Sequence, residues 1–185
     1  MKKTIVLVLV WTMLTAMVNA QEIKPGSVKQ RISSELNDIQ VVQLDDLQLG
    51  NEFAVLLNGK IILKTGGEEG KDDFRFHSLP LPDVILHLNQ GVKPFDEVFV
   101  FMQRMWGNAC DGGAIWFLGV KSGGRHAISD PIDFCGGPPP ILTVMENKVI
   151  ITDPAHPPND GKGWIPEDQW VYEEGKVRRA KNKAR

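Results

Sequence analysis

The stretch CDGGAIWFLGVKSGGRHAISDPIDFC, residues 110–135, decides how this chain is read. It holds the chain's two cysteines, Cys110 and Cys135. Ile115 to Val120 is continuously apolar, Lys121-Ser122-Gly123-Gly124 breaks the run, and a second run extends from Arg125 to Phe134. Ser122-Gly123 suits a two-residue hairpin turn, because glycine enters the left-handed region at little steric cost. If Lys121 faces Gly124 across that turn, the register carries Cys110 opposite Cys135 at the open end of the ribbon. Directly opposed strand residues bring their Cβ atoms close to disulfide distance. The expected bond closes a loop of 24 intervening residues, and loop entropy makes such a closure worth about 3 kcal/mol. Pro131 cannot donate to the ladder, and a bulge there would displace the register by one residue.

The start of the chain sets the compartment. Lys2 and Lys3 precede an apolar run from Ile5 to Leu14, and Val18-Asn19-Ala20 is a small-x-small cleavage site. Residues 1–20 therefore read as a secretory signal of bacterial type, with a mature start at Gln21. The run is too short to read as a membrane span. The expected location is the periplasm or the medium, an oxidising setting in which two cysteines pair. Removing the signal takes away Lys2 and Lys3 and no acid, leaving 19 basic residues against 23 acidic ones. Such a mild acidic excess argues against a nucleic-acid partner.

Working outward from the cysteine stretch, residues 21–185 read as one β-rich domain with a basic tail, 176–185. The exception is residues 21–38, where Ser27 and Gln30 have capping-box spacing and Val28, Ile32 and Leu36 fall on one helical face. After Ile39 the period becomes that of strands. Asn58-Gly59 between Phe53–Leu57 and Lys60–Lys64 is a strong hairpin signal. Glu146-Asn147 and Glu174-Gly175 are further turns between short runs. The expected fold is mainly β: an antiparallel two-sheet sandwich, or a small barrel, with one short N-terminal helix and one disulfide.

Candidate chemistry is sparse. Asp153, His156 and Asp160 share one proline-rich loop and offer oxygen and imidazole ligands for a divalent metal. His126 lies near Asp111, Asp130 and Asp133, an acid–imidazole grouping of the kind used in proton transfer. Glu68, Glu69, Asp72 and Asp73 crowd an acidic loop without the spacing of a calcium loop. No serine or cysteine sits in a nucleophile motif. Trp106 and Trp164 border glycine-containing loops where an aromatic ring could anchor a partner, with Asp111 beside them in the expected binding set, whereas Trp116 reads as core. The expectation is an exported periplasmic binding or inhibitory protein, for instance of immunity type. It would use no cofactor and no catalytic site, and would dock a disulfide-braced loop on a protein partner. The alternatives are a metal-assisted hydrolase built on His126 or His156, and a structural or glycan-associated envelope component using the tryptophans and the basic tail.

Overall fold

The computed structural model describes residues 27–44, 52–65, 81–103, 113–134, 137–158 and 161–180. They form three antiparallel sheets, each a meander. The first runs β1 (Ser27–Ser33), β2 (Asp38–Leu44), β3 (Glu52–Leu57) and β4 (Lys60–Lys64). The second runs β5 (Asp83–Leu88), β6 (Glu97–Gln103), β7 (Ala114–Val120) and β8 (His126–Ile128), with β9 (Ile132–Asp133) also on β7. The third runs β10 (Ile141–Met145), β11 (Lys148–Asp153), β12 (Asp168–Glu173) and β13 (Lys176–Arg179). No helix of the described residues is long and apolar enough to cross a membrane.

The second sheet lies between the other two, because every residue of β6 and β7 is buried. One face of these strands presents Phe99, Phe101, Trp116, Leu118 and Val120 to Ile39, Val41, Phe53, Val55 and Leu57 of the first sheet. The opposite face presents Val98, Val100, Met102, Ile115 and Phe117 to Val149, Ile151 and Tyr172 of the third. Two stacked ring pairs mark the two layers: Phe101 on Trp116 at 3.9 Å and Phe117 on Tyr172 at 4.2 Å. Strands without a solvent face lose their polar alternation. The unbroken run from Ile115 to Val120 carries that signature, and the expected two sheets become three.

The expected N-terminal helix is a strand. Val28 faces Val42 and Ile32 faces Ile39, and a bulge between Val28 and Gln30 puts the two apolar residues on opposite faces. Their spacing of four imitates a helical stripe, but in a bulged strand it means something else. Ser34 then turns the chain: its hydroxyl accepts from the Leu36 and Asn37 amides at 3.1 and 2.9 Å.

The cysteine ribbon forms in a shifted register. The Lys121 amide donates to the Arg125 carbonyl, so three residues rather than two make the turn. Val120 consequently faces His126, and Gly119 faces Ala127. A second slip follows at Ser129, whose amide and hydroxyl both serve Phe117, so Ile115 faces Ile132. The two displacements remove the register from which the opposition of Cys110 and Cys135 was reasoned. Both cysteines lie outside the described residues.

The turns of six hairpins (β1–β2, β3–β4, β5–β6, β7–β8, β10–β11 and β12–β13) gather at one end of the stack. Phe95, in the β5–β6 turn, fastens this end. A Cβ on Gly119 of β7 would fall 2.5 Å from its ring, and one on Gly175 of the β12–β13 turn would fall 2.8 Å away. The described parts of the β11–β12 connection, 154–158 and 161–167, lie at the opposite end, where His156 bridges to Ile165. One flank of the stack carries β1, β5 and β10: the Val84 amide of β5 donates to Gln30 of β1, and Leu88 and Met145 line one cleft.

Candidate binding site at the hairpin end

The most developed polar cluster of the described residues sits at the hairpin end, between the first and second sheets. Glu97 opens β6 and is 2% exposed. Its Oε1 lies 3.0 Å from His87 Nε2, and its Oε2 accepts from Asn37 Nδ2. Asn37 is buried too, and its Oδ1 accepts from Asn58 Nδ2 at 3.0 Å. Asn58 in turn accepts from the Asp38 amide at 2.8 Å. The Asn58-Gly59 turn, with φ of 52° and 77°, holds that side chain over the neighbouring hairpin. Three hairpins thus build one chain of hydrogen bonds, and inside a low-dielectric layer such bonds reinforce one another.

His87 is fixed by a second contact. It faces Phe99 across the β5–β6 pair and stacks on that ring at 4.3 Å with planes 8° apart. With Nε2 directed at the carboxyl group, Nδ1 is the ring nitrogen left to other partners. His87 and Glu97 line a pocket of about 480 Å³ whose wall is Ser33, Ser34, Glu35, Leu36 and Asn89. Leu36 is 52% exposed at the rim. A second cleft begins at His87 and Asn89 and continues past Val144 and Met145 of the third sheet.

The hydroxyls in the pocket wall are committed elsewhere. Ser33 donates to Asp38 Oδ1 at 2.8 Å, and Ser34 donates to the Asn37 carbonyl at 3.1 Å. Asp38 is held down to about 2 chiefly by its hydrogen bond with Arg31, an exposed strand pair rather than a pocket group. The pocket therefore offers a fixed carboxyl group, an oriented imidazole and a hydrophobic rim. That combination suits recognition of a cationic group.

The residues selected from sequence lie elsewhere. Trp106, Asp111, Cys110, Cys135 and Asp160 fall outside the described residues, as does the acidic loop holding Glu68, Glu69, Asp72 and Asp73. Trp164 is on the surface at 65% exposure, and Trp116 is core. His126 is exposed and its Nδ1 lies 3.2 Å from the Gly124 carbonyl. Asp153 and His156 do come together at the long-loop end, with His156 Nδ1 3.9 Å from Asp153 Oδ1. Among the described residues no three His, Cys, Asp or Glu side chains converge as a metal set.

The Asp153 corner is instead a destabilised one. His156 Nδ1 lies 2.9 Å from the Pro154 carbonyl, which can only accept, so the ring proton is already used. Asp153 Oδ1 is buried without a hydrogen bond. Burial pushes its carboxyl upward, opposed by His156 and assisted by Asp168. A carboxyl whose folded value is raised stabilises the protein below that value and loses the contribution as pH climbs through it. Asp153→Asn should therefore raise stability at neutral pH by about 1 kcal/mol and flatten the mildly acidic part of the stability profile. Urea melts of both proteins across that range check this.

The Glu97 site was reachable from sequence by one signal. Glu97 heads the otherwise apolar Val98-Phe-Val-Phe-Met102, and His87 interrupts Val84-Ile-Leu-His-Leu88. Polar residues within such runs are costly to bury and need partners. Asn37, assigned to a helix, carried no such mark. Comparison with protein-family models, with characterised proteins and with solved structures returns no match for this chain.

Proposed function

We propose that the chain is an exported binding or inhibitory protein of the bacterial periplasm that receives a protein partner on its hairpin end. The observation that carries the reading is Glu97, a buried carboxyl group on the floor of an open pocket, held from two sides by His87 and Asn37. A lysine or arginine side chain of the partner fits that floor, because a buried carboxyl group makes its strongest hydrogen bonds to a cation. Glu35 on the pocket wall adds charge of the same sign. Exposed Leu36 supplies apolar contact at the pocket rim. Turns tied to rigid sheets lose little freedom on docking, which favours tight complexes. The secretory signal and the cysteine pair read in the sequence support the compartment.

The test has two stages. The purified protein is used to capture partners from periplasmic extract, and the captured protein is titrated against variants. Glu97→Gln and Leu36→Asp should each weaken binding by about tenfold or more, while Trp164→Ala at the opposite end leaves it unchanged. Recovery of no stoichiometric partner, or equal affinity for all variants, would overturn the reading.

A further inference from the structure

The edges of the three sheets are guarded unequally. Exposed edges invite another strand, and proteins blunt them with charge, bulges, proline or brevity. Edge strand β1 carries Lys29, Arg31 and its bulge. On β4, Lys60 and Lys64 flank an irregular pairing. β5 begins at Asp83, is bulged between Val84 and Leu86, and has its Val84 amide taken by Gln30. β8 and β9 span three and two residues with Pro131 between them. β13 carries Lys176, Arg178 and Arg179.

Among the described edge strands of four residues or more, β10, Ile141-Leu-Thr-Val-Met145, alone carries no charge, bulge or proline within the strand. Among the described residues it pairs with β11 alone. Ile141, Val144 and Met145 are 55%, 50% and 47% exposed. The strand is uncharged and bounded by Pro138-Pro139-Pro140 and Glu146, which limit its ladder to five residues.

We propose that β10 is a self-association edge, and that two copies of the chain join by antiparallel β10–β10 pairing about a twofold axis through Thr143. The argument for a second copy is the strand's self-complementarity. With Thr143 on the axis, Ile141 meets Met145 of the other copy and Leu142 meets Val144. All of these are favourable cross-strand neighbours, and Thr143 meets its own mate. At the ends Pro140 meets Glu146, so no like charges oppose. Such an isologous contact closes on itself and does not propagate. It turns two four-stranded third sheets into one continuous sheet. A five-residue ladder is small, so the association is weak and concentration-dependent.

The axis gives a decisive experiment. The protein purified from producing cells should shift from monomer to dimer with concentration in sedimentation velocity. Thr143→Lys and Thr143→Glu lie on an exposed strand position and should each be monomeric throughout, with wild-type circular dichroism and melting temperature. Lysine would meet lysine, and glutamate would meet glutamate. Mixing the two variants should restore a dimer with one copy of each. A wild type that stays monomeric at every concentration overturns the proposal. So does a Thr143→Lys protein that dimerises as wild type does, or a mixture that fails to dimerise. The partner-binding test does not bear on this outcome, since it alters Glu97 and Leu36 rather than β10.

Discussion

Glu97→Ala should destabilise the protein by about 3 kcal/mol, the typical cost of removing one member of a buried polar pair. The reason is what remains behind. Asn37 is 4% exposed, and its amide would lose its acceptor. His87 Nε2 would lose its neighbour while the ring stayed stacked on Phe99. Glu97→Gln should cost less, because a carbonyl oxygen can still face His87 while the new NH₂ meets the Asn37 NH₂ donor to donor. The double change Glu97→Ala, Asn37→Ala should cost less than the sum of the single changes, since the two residues share one interaction. Denaturant melts of the wild type and the four variants measure all of this. Equal stability of Glu97→Ala and wild type would mean that the polar chain from Asn58 to His87 contributes nothing to folding.

The second large effect is expected at Gly119, in the middle of the central sheet. Its backbone is ordinary strand, so any penalty for a side chain is steric. An added Cβ would lie 2.5 Å from Phe95 Cδ2 and 2.6 Å from Cγ. Those atoms sit near the root of the ring, where the side chain has least freedom to swing away. Gly119→Ala should therefore destabilise by about 2 kcal/mol, in the range found for overpacked cores. Phe95→Leu narrows the obstruction, so the pair Gly119→Ala, Phe95→Leu should be more stable than additivity of the two single changes allows. An alanine at 119 that leaves the melting midpoint unchanged would show that the hairpin end is looser than its packing implies.

What could be read in advance was local. Asn58-Gly59 and Glu174-Gly175 form two-residue turns with both residues at positive φ, joining Leu57 to Lys60 and Glu173 to Lys176. Glu146-Asn147, with Asn147 alone at positive φ, joins Met145 to Lys148. In each case the turn chemistry and the strand ends lie within a few residues of each other. The basic stretch at Lys176–Arg179 is a charged edge strand, as turn and charge together suggest.

What escaped depended on distant neighbours. Val28 and Ile32 keep a helical interval, and only pairing with β2 reveals the bulge that separates their faces. The number of sheets was encoded in the missing alternation of Val98–Met102 and Ile115–Val120, but such runs also fit a buried two-layer core. The ribbon register failed by one residue at the turn and by another at Ser129, where a hydroxyl stands in for a ladder partner. The Glu97 site combines residues 37, 58, 87 and 97. No spacing rule links them, because they meet only once the first two sheets stack.

The central layer has a consequence for how the chain reaches its final state. The ribbon of Glu97–Gln103 and Ala114–Val120 has no side that tolerates water. The first sheet precedes it in sequence and can cover Phe99, Trp116 and Leu118 early. Val98, Val100, Ile115 and Phe117 must wait for strands that arrive after residue 140. Until then they form a sticky surface, and collapse onto other chains competes with completion of the stack. The strands that follow residue 140 would then act as the built-in shield of one whole face of the central sheet.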